Sequence, residues 1–177
     1  MNQTIEDLKS RRSIRKFKDE QISDEELNII LDAGTYAPTG AGRQSPKIVV
    51  IQNPETIKEF SDWNRSFFPT EVPDDMDPFY GGKTLLIVLA NSEMPTYVED
   101  GASVLTVLVN AAHAIGVGSC WIHRARDEFA SPKGKELLKE WGIPESYEGI
   151  GHVVLGYPDM TNPKAAPRKE DYIHFVD

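Results

Sequence analysis

The sequence predicts an α+β fold, and three observations carry that reading. Segments with the apolar period of helices alternate with short apolar runs of strand length. Gly and Pro clusters punctuate them. No internal repeat, low-complexity stretch or linker divides the 177 residues, so one domain over 1–177 is expected. A chain of this length buries about 70% of the surface its unfolded form exposes, enough to fold without staples.

Residues 4–12 place Ile5 and Leu8 at helical spacing behind Thr4, a candidate N-cap followed by Glu6 and Asp7. Ser23-Asp24-Glu25-Glu26 has the form of a capping box, and Leu27, Ile30 and Leu31 continue it as a second helix that stops before Pro38. Residues 48–51 form a β-branched run between Pro46 and Pro54, and 54–63 read as a helix with Pro in its first turn. Residues 64–83, with three prolines and two glycines, are too irregular for an ordinary connection and have the character of a loop bordering a site or a substrate lid.

Residues 85–90 are continuously apolar, as in a buried strand. Residues 98–115 are apolar nearly all round, which predicts a central helix ended by Gly116 and Gly118. Strands are predicted at 119–123 and 151–155, with a helix opened by Ser131-Pro132 between them. The final stretch, 158–177, is polar until Tyr172, Ile173, Phe175 and Val176, a short apolar strand that needs something to pair with; a partner subunit would supply it.

Composition narrows the function. Cys120 is the only cysteine, so there is no internal disulfide and no cysteine-based zinc cluster, as suits a reducing compartment. The first residues lack the apolar core of a signal peptide, and no apolar run approaches the roughly 20 residues that span a bilayer, so a soluble cytoplasmic protein is expected. With 28 acidic and 19 basic residues, the net charge of -9 disfavours nucleic acid and anionic membranes as partners. An anion site in such a chain must be local.

The densest cationic cluster is Arg11, Arg12, Arg15 and Lys16, with Ser13 among them. Forked guanidinium groups beside a hydroxyl suit a phosphate, yet basic residues at a helix end also simply complement the helix dipole, and both readings stand. In Pro38-Thr39-Gly40-Ala41-Gly42-Arg43-Gln44-Ser45-Pro46, glycines beside hydroxyl and amide groups would let backbone approach a planar ligand; taken alone the segment is a helix-to-strand connection. Gly81-Gly82-Lys83-Thr84 imitates the end of a P-loop, but Asp77 stands where the first glycine belongs and a strand follows, which rules it out. Cys120 and His123 would face opposite sides of a strand, so a buried structural thiol is favoured over a nucleophile with its base. His113 reads as a hydrogen-bonded core or interface residue, and no metal site is predicted around His152 or His174.

Taken in order, these segments resemble the nitroreductase family. The resemblance runs through Arg11-Arg12-Ser13-Ile14-Arg15-Lys16-Phe17, Ala37-Pro38-Thr39-Gly40 to Gln44-Ser45-Pro46, Phe79-Tyr80-Gly81, residues 111–122, Gly156-Tyr157-Pro158 and Pro167-Arg168-Lys169. It implies a three-layer α/β/α sandwich around a mixed, mainly antiparallel sheet, a homodimer with FMN at the interface, and a C-terminal arm laid on the partner subunit. It further implies that Arg11, Ser13, Arg168 and Lys169 hold the FMN phosphate and ribityl oxygens together with Arg12, and that Arg15 reaches the N1 and O2 edge. Pro38, Thr39, Gly40 and Gln44 would come from the partner chain, and backbone at Ile122, His123 and Arg124 would face N5. Many relatives carry Gly or an acidic residue and then Gly where His123 and Arg124 stand, and commonly Pro where Lys83 stands.

The activity so implied is ping-pong transfer of hydride from NAD(P)H to FMN and on to a nitroaromatic, quinone or other small-molecule electron acceptor, with no catalytic side-chain nucleophile. Phe67, Phe68, Phe79 and Tyr80 are the candidate acceptor-pocket residues. Two rivals stand beside it: an FMN-binding storage or sensing protein without NAD(P)H turnover, and a flavin-free anion-binding interaction domain.

Overall fold

The computed structural model describes residues 2–176; Met1 and Asp177, the ends of the predicted domain, lie outside the described residues. The sheet has strands β1 (Pro46–Ile51), β2 (Thr84–Asn91), β3 (Gly118–Ile122) and β4 (Tyr147–Gly156) in the order β1-β2-β4-β3. The mainly antiparallel sheet that was expected is present, and all three ladders among the described residues are antiparallel. Strand β4 begins four residues earlier than its apolar run predicts. Its first part, rich in glycine and carrying Glu148, pairs with β2 beyond a register shift at Val88 and Leu89.

Six helices sandwich this sheet: α1 (Gln3–Ser10), α2 (Asp24–Thr35), α3 (Pro54–Ser66), α4 (Tyr97–Ala114), α5 (Ala125–Ala130) and α6 (Pro132–Glu140). Alternation along the strands produces the layers. On β2, Leu86 and Val88 join Leu27, Ile30, Leu105 and Leu108 of α2 and α4. Leu85, Ile87 and Leu89 face the other way, into Ile57, Phe60, Phe129 and Leu138 of α3, α5 and α6. Each layer buries an apolar stripe that neither helices nor sheet could bury alone.

Local chemistry explains the helix starts. The predicted capping box forms in both directions at Ser23 and Glu26. Asn2, not Thr4, caps α1, its side chain accepting from the Thr4 N–H at 2.9 Å, so that helix starts and stops earlier than predicted. Helix α4 is less enclosed than expected: Asp100, Gly101, Val104, Leu105, Leu108, Val109 and Ala112 are buried on one face, and Val98 and Thr106 on the other are exposed. No helix among the described residues is long and apolar enough to cross a membrane.

The C-terminal segment departs most from expectation. Residues 157–162 run along residues 10–18, through a Phe17–Pro158 bridge and the Lys18 N–H donating to Tyr157 O and Asp159 N–H to Lys16 O, each at 2.9 Å. Beyond that the predicted strand does not form, and Tyr172, Ile173, Phe175 and Val176 are 70–86% exposed. A strand without a neighbouring edge has no ladder to join, and this chain offers none there.

Candidate active site

The basic segment follows α1 as irregular backbone pinned to the sheet edge, with the Ile14 N–H donating to Ser119 O of β3 at 2.9 Å. Its side chains divide in two. Arg12 folds back on the helix it follows, donating from one Nη to the carbonyls of Lys9 (2.9 Å) and Arg11 (2.6 Å), so it satisfies the open end of α1. In the chain alone, this residue expected at an anion site serves as a helix cap. Arg11, Ser13 and Arg15 turn instead toward Cys120 on β3. Burial pushes the Cys120 thiol above its ordinary pKa, while Arg15, a hydrogen bond with Ser13 and Arg11 oppose the shift. The thiol is buried and held in its protonated form, as a structural cysteine is.

The basic patch continues into an aromatic one. The Arg15 guanidinium lies 6.0 Å from the Tyr80 ring centre, and Tyr80 in turn lies within the electrostatic reach of Arg124. Arg124 ends the turn after β3 and stacks its guanidinium 3.7 Å above the ring of Phe68. Arg11, Ser13, Arg15, Tyr80, Arg124 and Phe68 thus lie near one another as a loose strip, although they come from four separate stretches of chain.

The turn at its end is braced from below. The fully buried Asn64 of α3 donates from Nδ2 to the His123 carbonyl at 3.0 Å and to Glu128 Oε1 at 2.7 Å, and its Oδ1 accepts from Arg124 Nε at 3.0 Å. Glu128 Oε2 meets His152 Nε2 at 2.5 Å, and neither side chain has exposed surface. His152 Nδ1 has no partner among the described residues, and Phe79 packs edge-on against the ring. Because the peptide is trans, drawing the His123 carbonyl toward α3 turns the Arg124 N–H the opposite way, where it has no acceptor among the described residues. A backbone donor next to the strip is left without a partner among the described residues.

Residues 38–46 are organised elsewhere, around Asp100 at the start of α4. Gly40 N–H donates to Asp100 Oδ1 at 2.8 Å and Ser45 Oγ to Oδ2 at 2.6 Å. Burial raises the Asp100 pKa, but the bonds from Ser45, Gly40 and Thr96 outweigh it and hold the carboxyl below its ordinary value. A Cβ on Gly40 would sit 2.2 Å from Thr96 Oγ1, so only glycine fits that close approach. Of Pro38, Thr39, Gly40 and Gln44, Thr39 and Gln44 line a 590 Å³ groove between α2 and β1, which no residue of the strip lines. Arg168 and Lys169 are exposed, the Arg168 guanidinium donating to its own neighbour Ala166 O at 2.6 and 3.2 Å.

Comparison with known proteins decides the family. The family model described as "Nitroreductase family" matches residues 8–157, most of the chain. The chain belongs to the nitroreductase family. Among solved structures, a nitroreductase with bound FMN from Bacteroides fragilis NCTC 9343 superposes with a TM-score of 0.90 at 27% identity over 100% of both chains. An FMN reductase [NAD(P)H] of Bacillus subtilis (strain 168) is 34% identical over 186 residues, 93% of this chain and 69% of the relative. An NADPH-flavin oxidoreductase of Vibrio harveyi is 28% identical over 185 residues, 95% of this chain and 70% of the relative.

Within this nitroreductase fold, the environments of several expected residues are now defined. Phe79 has no exposed surface and belongs to the core below the strip, so it lines no pocket. Ile122 is also buried in that core, while His123 is exposed. The irregular loop begins only after Ser66, where α3 ends, and Asp77 ties it down by accepting from Ser61 Oγ (2.5 Å), Phe79 N–H (2.8 Å) and Gly81 N–H (2.6 Å). Phe67 packs edge-on against Trp63, leaving Phe68 and Tyr80 as the aromatic residues of the strip. Lys83 donates its N–H to Leu155 O at 3.2 Å and pairs with Asp19, two contacts a proline there would lack.

Sequence reasoning missed Asn64, Glu128 and His152. A signal for two of them existed. Asn64 falls on the stripe of Ile57, Phe60 and Ser61 at i+7, and His152 interrupts an apolar strand, both places where a polar group must find a partner.

Proposed function

We propose that this nitroreductase-family protein binds FMN and passes electrons from NAD(P)H to a small acceptor, a nitroaromatic or quinone, as a homodimer. The carrying observation is the strip itself, where a hydroxyl and two guanidinium groups at one end meet a presented backbone N–H at the other. That donor set matches a phosphorylated, planar, electron-accepting cofactor. When bound, FMN supplies a two-electron carrier that accepts hydride from the nicotinamide and then reduces the acceptor in a ping-pong exchange.

The residues have distinct tasks in this reading. Arg11 and Ser13 hold phosphate and ribityl oxygens, with Arg168 and Lys169 completing that end. Arg15 places positive charge beside the pyrimidine edge, where charge grows on reduction. The Arg124 N–H, aimed by the Asn64 grip on the His123 carbonyl, faces the reacting nitrogen. Phe68 and Tyr80 border the space for the acceptor.

Dimerisation explains what the single chain leaves open. Ile5, Leu8, Ile29, Tyr36 and Val50 are exposed apolar residues on α1, α2 and β1, and the tail carries four more at Tyr172, Ile173, Phe175 and Val176. A second copy covers these faces and brings its Pro38, Thr39, Gly40 and Gln44 against the flavin. The lone buried thiol suits a reducing cytoplasm.

The test is spectroscopic. The purified protein should be yellow, and NADH or NADPH added without oxygen should bleach it. A yellow protein that neither donor bleaches would indicate storage or sensing, and a protein that stays colourless after FMN reconstitution would overturn the assignment.

A further inference from the structure

Resting on the FMN reading above, we infer that the Arg124 side chain determines acceptor specificity, selecting aromatic acceptors that carry a carboxylate about one ring away from the group being reduced. Its backbone takes φ 80°, a left-handed conformation in which an arginine gains nothing over glycine. The side chain nevertheless has a fixed pose. Nε is engaged with Asn64 Oδ1, and the guanidinium face rests 3.7 Å above Phe68.

Asn64 cannot swing away, because its amide is fully committed to the His123 carbonyl and Glu128. The pose is therefore set from beneath without use of the terminal Nη groups, and these have no acceptor among the described residues. A guanidinium immobilised through Nε presents a ready fork to a carboxylate, at little further cost in rotamer freedom.

No carboxylate among the described residues bonds this fork, although anionic groups stand near it. Glu128 is occupied by Asn64 and His152, and Asp127 and Tyr80 are the other groups acting on the guanidinium. In a chain of net charge -9, long-range attraction for an anionic acceptor is absent, so any preference for one must come from a local cation. Arg15 stands by Tyr80 and, like Arg11, acts on Cys120 of β3, so both belong to the basic end of the strip. The guanidinium stands instead on the residue whose own N–H faces the reacting position. It therefore reads a group close to the reducible one. The phosphates of a dinucleotide donor lie beyond a ribose from the nicotinamide, and this side chain is tied down too near the turn to serve them.

The test compares 4-nitrobenzoate with its neutral counterpart 4-nitrobenzamide on the FMN-loaded protein, with NADH as donor. The carboxylate should raise kcat/KM roughly tenfold or more, the effect of one charge-assisted contact, and added salt should erode that preference. In Arg124→Met the ratio should fall to about one, and Arg124→Lys should restore it only in part, because the ammonium lacks the fork. Calorimetry should show the same order for the unreactive pair, with benzoate binding the wild type more tightly than benzamide and Arg124→Met losing the difference. Equal use of both nitro compounds by the wild type, or an unchanged ratio in Arg124→Met, would overturn the proposal. So would an Arg124→Met defect confined to kcat/KM for NADH, which assigns the guanidinium to the donor. Absence of bound flavin, or of NADH oxidation with either compound, is a separate result that brings down the underlying FMN reading and this inference with it.

Discussion

The two ends of the strip are built in opposite ways. At the turn end, four side chains from α3, α5, β4 and the turn itself satisfy one another before any ligand arrives, three of them fully buried. At the basic end, Arg11, Ser13 and Arg15 stand on irregular backbone, partly open to solvent, with no salt bridge to a carboxylate among the described residues. One end is mostly satisfied within the chain; the other is the end proposed to take an anion. Errors at the first should therefore cost fold stability, and errors at the second should cost ligand.

The largest effect is expected at Glu128. Glu128→Ala strips His152 and Asn64 of their shared acceptor in a site without water access, and breaking such a pair typically costs about 3–5 kcal/mol. Chemical denaturation of the FMN-free protein measures this directly. A loss near that of an average surface substitution would mean that the bracing is slack.

The next largest belongs to the basic end and should have the opposite signature. Arg11→Ala should weaken FMN retention by roughly ten- to a hundredfold, the loss of a charge-assisted contact, while leaving the unfolding curve of the flavin-free protein in place. Arg168→Ala should do the same only if the tail reaches a partner's site, because in the single chain its guanidinium turns to Ala166. Unchanged FMN affinity in Arg11→Ala would move the phosphate site elsewhere.

The same contrast governs what was legible in the sequence. Arg11, Ser13 and Arg15 announce themselves because they are adjacent, and the layers follow from period alone: Leu85 to Ala90, the Ser23 capping box and the stripe of α2 stand where expected. The bracing unit was not legible as a unit. Asn64, Glu128 and His152 are far apart in the chain, and their association depends on α5, a six-residue helix too short to show a period. Arg12 shows the converse limit. It shares composition with its neighbours, yet in the chain alone its guanidinium is taken up by the helix-end carbonyls of Lys9 and Arg11.

Asp100 extends the comparison to the segment proposed to serve the partner's site. Its pKa is depressed in the fold, so it contributes stability above the unfolded value of about 4 that is lost as pH falls through the lower folded value. Denaturation midpoints should decline with acid over that window. Asp100→Asn should flatten that part of the profile and cost about 1–2 kcal/mol at neutral pH, through poorer bonds to Gly40 and Ser45. A profile identical in both proteins would show that residues 39–45 are held by other contacts.

The smallest effect is expected where charge is most visible. Lys16 and Asp159 meet at 2.7 Å with side chains 68% and 46% exposed, and their contact fastens the start of the C-terminal segment beside the basic cluster. Solvent screens such a pair, and ordering two exposed side chains opposes it. The backbone meanwhile holds the same junction through Phe17 and Pro158, through Lys18 N–H to Tyr157 O, and through Asp159 N–H to Lys16 O. Lys16→Ala should therefore leave both the melting temperature and FMN retention within experimental error, at low and high salt alike. A clear loss of FMN in that variant, with Arg11 intact, would mean that the segment leading to Arg168 is positioned by this surface charge and that the basic end is more preorganised than its open side chains suggest.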